Sequence, residues 1–373
     1  RQRFDVSGQG NFAAKTGDAF VRAGFDCAVR RNFAKIGRTK PPLTSMKIAP
    51  AILTMNVKFF LILAFAATQL RAADTLTLAA IPKSTGGEYW ETVARGARQA
   101  AKELGVTLKW EGTVTETDIA GQNQIVENMV NLGVQGIALA PLNEKATRHE
   151  VEYAVNAGIP VVVFDSGVDG NAQSSFIATD NHQGGVIGGK ELARLIGDKK
   201  GAKVMCMRFV QGTGSTEARA AGFIETAKAA GYNVAADPYP DTGTIEGCKN
   251  AAANTLEKFV QDGTLNLDGI FAANLYSTIG VASALDDLRK GGVKVSVKFV
   301  GFDTSKRLVE DVQAGKIDAL VAQNPEKMGY LAVETLYKVV KKETVPKVID
   351  TGTVLVTKDK LANDPEVRKL VGL

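Results

Sequence analysis

Eight residues follow the ends of short apolar runs, where their side chains could meet one ligand. Lys83 comes just after TLTLAAI, and the pair Tyr89-Trp90 follows the Gly86-Gly87 turn. Asp165 ends IPVVVF, and Arg219 lies beyond KVMCMRF and the Gly212-Thr213-Gly214-Ser215 turn. Asn274 ends GIFAA, Asp303 ends VKFVGF and Gln323 ends DALVA. Carboxylates, a guanidinium and amides are planar groups that bind neighbouring hydroxyls in pairs, and charge-assisted bonds are the strong ones. Flat aromatic faces cover apolar C–H surface. Together these types suit capture of a neutral polyol. Each residue also has a structural reading: Asp165 and Asp303 as helix N-caps, Tyr89 and Trp90 as core, and Arg219 as a surface helix residue.

Catalytic chemistry finds little support. The two histidines, His149 and His182, form no metal-ligand spacing with other residues, and no cofactor motif stands out. The run from Gly184 to Gly189-Lys190 imitates a phosphate loop, but Glu191 stands where Ser or Thr is needed, and the run lies in a helical pattern.

The elements that must position these residues alternate along the chain. β-rich runs (TLTLAAI, VTLKWEG, GIALAP, IPVVVFD, SSFIATD) are separated by helical patterns over Tyr89–Leu104, from Asp118 to Leu132–Gly133, and over Glu144–Ala157. A second series follows. Strands KVMCMRF, NVAADPY, GIFAAN, VKFVGFD, DALVAQ and TGTVLVT are interleaved with helices Gly184–Ile196, Thr216–Ala230, Thr244–Gln261, Ser277–Arg289, Ser305–Gln313 and Pro325–Lys341. Such alternation implies right-handed crossovers and parallel sheets covered on both faces. Two series in about 300 residues predict an α/β protein with two similar doubly wound domains. In open parallel sheets ligands bind beyond the carboxyl ends of the strands, where the eight residues lie.

The front of the chain reads differently. Residues 55–72, MNVKFFLILAFAATQLRA, have a basic start at Lys58, an apolar stretch Phe59–Ala67 and a small residue, Ala72, at a cleavage point. This is the layout of a secretory signal peptide, although Leu70 is large for its position; the alternatives are a membrane anchor or a buried helix. Residues 1–54 are expected to be an upstream extension absent from the mature protein. The net charge of +5 misleads: residues 1–72 hold 12 Lys and Arg against three acids, leaving 33 basic and 37 acidic residues behind them. That balance offers no case for nucleic-acid binding. Of three cysteines, Cys27 precedes the signal, while Cys206 and Cys248 remain in an oxidising compartment. A Cys206–Cys248 disulfide is one expectation; two buried thiols are the other.

From about residue 75 to 357 the chain resembles type I periplasmic sugar-binding proteins, the ribose-binding group especially. The resemblance rests on Tyr89-Trp90, Phe164-Asp165, Ile177-Ala178-Thr179-Asp180-Asn181, Arg219-Ala220-Ala221-Gly222-Phe223, Phe271-Ala272-Ala273-Asn274, Val300-Gly301-Phe302-Asp303 and Ala322-Gln323. It implies two lobes, 73–179 with 324–350 and 180–323 with 351–373, joined by a three-strand hinge near 179–181, 323–325 and 350–352. The sugar would sit between them, with Asp165 on one lobe and Arg219, Asn274 and Asp303 on the other. Ser166 stands where the ribose pattern has Arg, and Thr242 stands near its stacking aromatic. The first half is also similar to the autoinducer-2 and rhamnose-binding branch, through IPK at 81–83, WEGTVTETDIAGQNQIVENMV at 110–130 and FDSG at 164–167; that branch implies a direct ligand contact for Lys83. The resemblance further implies a monomeric, non-enzymatic, cofactor-free component of an ABC importer. It would be periplasmic, close on its ligand, and serve a membrane permease with its ATPase subunit, or feed a chemoreceptor. A repressor effector domain shares the fold, but needs a DNA-binding headpiece where the signal peptide lies.

Overall fold

The computed structural model describes residues 75–373. The signal peptide, the upstream extension and Cys27 lie outside the described residues.

The first sheet is built from β1 (Thr77–Ile81), β2 (Thr107–Trp110), β3 (Gly136–Leu139), β4 (Val161–Phe164) and β5 (Ser175–Ala178), with α1 (Glu88–Leu104), α2 (Ile119–Asn131) and α3 (Arg148–Asn156) between them. The chain then crosses through α4 (Asn181–Ile196) to a second sheet. That series contains β6 (Lys203–Met207), α5 (Gly214–Ala229), β7 (Asn233–Ala236), α6 (Ile245–Glu257), a hairpin of β8 (Val260–Gln261) and β9 (Thr264–Leu265), β10 (Gly269–Ala272), α7 (Leu275–Lys290), β11 (Lys298–Phe302), α8 (Lys306–Gln313) and β12 (Ala319–Ala322). Helix α9 (Pro325–Val340) returns to the first half and leads to β13 (Val348–Asp350). β14 (Val354–Thr357), α10 (Lys358–Asn363) and α11 (Pro365–Leu370) finish the chain.

The sheet orders are β13-β5-β4-β3-β1-β2 and β14-β12-β11-β10-β6-β7. Within these two sheets every pairing is parallel except β14 against β12. The alternating pattern therefore gives the expected two doubly wound sheets. Inner strands β3, β4, β10 and β12 are buried at every residue, which is why they read as unbroken apolar runs; the edge strand β2 (TLKW) alternates. The chain passes between the halves three times, after Ala178, Ala322 and Asp350.

Several expected boundaries shift for local reasons. The third helix begins at Arg148 rather than Glu144, because Asn143 Oδ1 accepts from the amides of Lys145 and Ala146 and holds a turn there. Helix α4 begins at Asn181 rather than Gly184, capped by Asp180 accepting from Gln183 N. Helix α6 stops at Glu257, short of the expected Gln261. Asp262 and Gly263, at φ 48° and 66°, turn the chain back into the β8–β9 hairpin instead. Thr357 and Asp364 cap two terminal helices that the pattern did not reveal.

The same device fastens one helix pair in each half. A Cβ on Gly96 of α1 would run into the Glu326 carbonyl of α9, and one on Gly329 of α9 into the Val93 carbonyl of α1. Likewise a Cβ on Gly185 of α4 would meet the Arg219 carbonyl of α5, and one on Gly222 of α5 the His182 carbonyl of α4. The glycines thus let each pair of backbones touch, and α1 carries Tyr89 and Trp90 while α5 carries Arg219.

The disulfide expectation is corrected. Both Cys206 and Cys248 are free and buried. Side chains alternate along β6, so Cys206 faces Phe223 and Phe271 while Met205 and Met207 face the other way. Helix α6, with Cys248, packs on that other face. Desolvation pushes both thiols up to about 12. Unfolded, unreduced protein spanning 73–373 is expected to titrate two free thiols. Gly96→Ala and Gly222→Ala are each expected to lower stability by ~1–3 kcal/mol in urea melts through overpacking, reversing the usual gain from replacing a helical glycine with alanine.

Candidate functional site

Parallel strands send their carboxyl ends to one edge of each sheet, and the two edges face each other across a cleft. Asp165 directly follows β4 and Asp303 directly follows β11, and both have left-handed backbones, φ 63° and 68°. That conformation costs an L-residue of order 1–2 kcal/mol, and aspartate tolerates it better than most. Neither caps a helix: Ser305 caps α8, and the next element after Asp165 is the strand β5. Both are buried and turn their carboxylates inward.

Asp165 is held from three sides. Lys83 Nζ pairs with its Oδ2 at 2.6 Å, and Tyr89 Oη donates to its Oδ1 at 2.7 Å. Asn181 Nδ2 donates to its backbone carbonyl at 3.3 Å. Burial alone would raise this carboxyl, but Lys83 and Arg219 outweigh it and hold the group below its ordinary value. Lys83 itself donates to Ser166 Oγ at 2.6 Å and to Ser215 Oγ at 3.2 Å, so protein groups occupy all three of its donors. Ser166 Oγ also donates to Ser215 Oγ at 2.8 Å. Ser215 lies in the first turn of α5 in the other half, so these bonds span the cleft.

Asp303 is arranged differently. Gln323 Nε2 donates to its Oδ1 at 2.6 Å and Leu275 N to its Oδ2 at 2.9 Å, while Arg219 stands 3.9 Å from Oδ2. Here burial wins and raises the carboxyl in spite of Arg219 and Gln323. Arg219 lies over the Phe302 ring at 3.8 Å and donates from Nε to Asn181 Oδ1 and from Nη1 to the Ala273 carbonyl. It is buried at the cleft, not on a helix surface. Asn274 caps α7 in a capping box with Ser277. Tyr89 and Trp90 meet edge to face at 5.1 Å; Trp90 belongs to the core cluster while also lining the cleft. Burial, with Asp165 beside it, pushes the Tyr89 hydroxyl well above its ordinary value.

The structure thus brings Lys83, Tyr89, Trp90, Asp165, Arg219, Asn274, Asp303 and Gln323 around one cavity of about 30 Å³, water-sized in this arrangement. Ser166 sits behind Lys83 and is fully buried. The remaining wall comes from Glu116, Ser215, Thr216, Leu275 and Tyr276. Glu116 follows an edge strand rather than a central one, which hid it; Tyr276 lies two residues beyond Asn274, within reach of the same strand-end rule. Thr242 is not part of this wall.

Known proteins are similar to this chain in sequence and fold. Residues 78–344 match the periplasmic binding protein domain. The ribose import binding protein of Haemophilus influenzae is 31% identical over 274 residues, covering 74% of this chain and 88% of that protein. A carbohydrate transporter solute-binding protein from Agrobacterium radiobacter, solved with D-arabinose, superposes with a TM-score of 0.73 at 34% identity, over 80% of this chain and all of the other. One from Agrobacterium vitis, solved with D-fucose, gives 0.73 at 32%, over 79% and 99%. The fold is that of type I periplasmic binding proteins. This chain belongs to the periplasmic binding protein domain family.

Lys83→Met would leave the Asp165 carboxylate buried without its cation. It is expected to cost ~3 kcal/mol in urea melts, with a smaller loss for Lys83→Met/Asp165→Asn, which removes both charges.

Proposed function

We propose that this chain is the solute-binding component of an ABC importer, and that it captures a monosaccharide or small polyol between its halves. The observation that carries this reading is the cavity itself. Two carboxylates, a guanidinium and two amides from opposing strand ends converge beside Tyr89 and Trp90 around that cavity. The relatives named for ribose import, and the solved proteins holding arabinose and fucose, support a sugar as the ligand class. Periplasmic residence, delivery to a permease and its ATPase subunit, and a monomeric state accompany the reading; feeding a chemoreceptor is compatible with it.

The lobes of the mechanism are 73–179 with 324–350, and 180–323 with 351–373, moving about the three crossovers. Ligand settles on one lobe and closure adds contacts from the other. It shifts that balance only by binding the closed form more tightly. Ser215 meets Lys83 and Ser166 only when the halves are together. A binding role rather than catalysis agrees with the relatives, which are named as binding proteins.

A thermal-shift screen of residues 73–373 against pentoses, hexoses, deoxysugars, polyols and autoinducer-2 tests the reading. A sugar at 100 times its Kd stabilises by about 2.7 kcal/mol, so at least one such compound is expected to raise the melting temperature. Asp165→Ala and Arg219→Ala are each expected to weaken that compound at least about tenfold. Wild-type affinity in both variants would sink the assigned site, and no shift from any polyol would sink the function.

A further inference from the structure

The loop after β2 brings one carboxyl, Glu116, to the cavity wall. Glu116 is 9% exposed, and Trp90 Nε1 donates to its Oε1 at 2.8 Å. The indole is itself 2% exposed and packed edge to face on Phe164, so the carboxyl is aimed by a rigid neighbour. Among the described residues Trp90 is the hydrogen-bond partner of Glu116, and the carboxyl lines the cavity. The titratable groups around it are Lys83, Asp165 and Asp303 from strand ends, Tyr276 from α7 and Cys248 from α6.

Charge limits what this carboxyl can do. The cavity already holds two cations, Lys83 and Arg219, against two carboxylates, Asp165 and Asp303. With its proton, Glu116 leaves the wall neutral and offers one O–H donor. Without it, the wall carries one surplus negative charge that is costly away from water. We propose that Glu116 is a specificity-determining ligand contact: oriented by Trp90, it donates a hydrogen bond to a ligand oxygen and matches the cavity to an uncharged sugar rather than an amino sugar. This deepens the solute-binding reading and rests on it. Burial acts in the same direction, raising the Glu116 carboxyl above its ordinary value in spite of Lys83 and Trp90. A raised acid keeps its proton through the ordinary carboxylate range and loses it as pH climbs further. The donor, and the affinity it supports, is then lost on the alkaline side.

Calorimetric titration of D-ribose, D-arabinose, D-allose, D-fucose and D-galactose, with D-galactosamine as the charged counterpart, tests this in wild type, Glu116→Gln and Glu116→Ala. The glutamine variant keeps an acceptor for Trp90 and an N–H donor for the sugar. It is expected to hold Kd within about threefold for the best-bound neutral sugar, whereas the alanine variant loses at least about tenfold. Wild-type affinity should weaken as pH climbs beyond the ordinary carboxylate range, and that slope should shrink in Glu116→Gln. Unchanged binding by Glu116→Ala, a glutamine variant as weak as alanine, or D-galactosamine bound more tightly than D-galactose would overturn the proposal. Should Glu116→Ala fail to fold, the pH slope in Glu116→Gln decides. Wild type that binds neither these sugars nor any compound of the thermal-shift screen overturns the solute-binding reading itself; wild type that binds, with variants that do not differ from it, overturns only the role of Glu116.

Discussion

The ion pair between Lys83 and Asp165, 2.6 Å long and shut away from water, is the interaction around which the cleft is organised. A buried charge survives only when paired and fully hydrogen-bonded, and here the requirement reaches outward. Tyr89 occupies the other carboxylate oxygen, Ser166 takes a second ammonium donor, and Ser215 from the opposite half takes the third. Satisfying one pair thereby ties together β1, β4, α1 and α5. It also joins the two halves of the molecule through protein groups.

Asp303 answers the same constraint in another way. Its partners are an amide, a backbone N–H and a guanidinium at 3.9 Å, so its charge is less fully matched than that of Asp165. The two aspartates occupy equivalent places, each after a phenylalanine at the end of an inner strand, each with a left-handed backbone. Their environments move their proton affinities in opposite directions, Asp165 down and Asp303 up. The cavity therefore has two unlike walls.

The helices that carry the cleft residues are placed by contacts that leave no room for a side chain. Gly96 with Gly329, and Gly185 with Gly222, bring helix backbones together behind Tyr89 and behind Arg219. The device is repeated in both halves.

Much of this was legible in the residues. Unbroken apolar runs such as VVVF and ALVA could only be inner parallel strands, because alternation would leave one face wet, and the rule that ligands gather beyond strand ends then pointed to Asp165, Asn274, Asp303 and Gln323. Periodicity is local information, and the order of elements constrains topology strongly. What it could not supply was which side chains face each other across distance. That Cys206 and Cys248 lie on opposite faces of one sheet depends on the phase of β6 against α6. That Lys83 spends its donors on protein depends on Ser215, 132 residues away. That Glu116 joins the site depends on Trp90, whose indole only the packed core aims. Local pattern determined the strands, the helices and most of the candidate residues; tertiary packing decided their partners, because hydrogen bonds and burial are set by distances in space rather than by spacing along the chain.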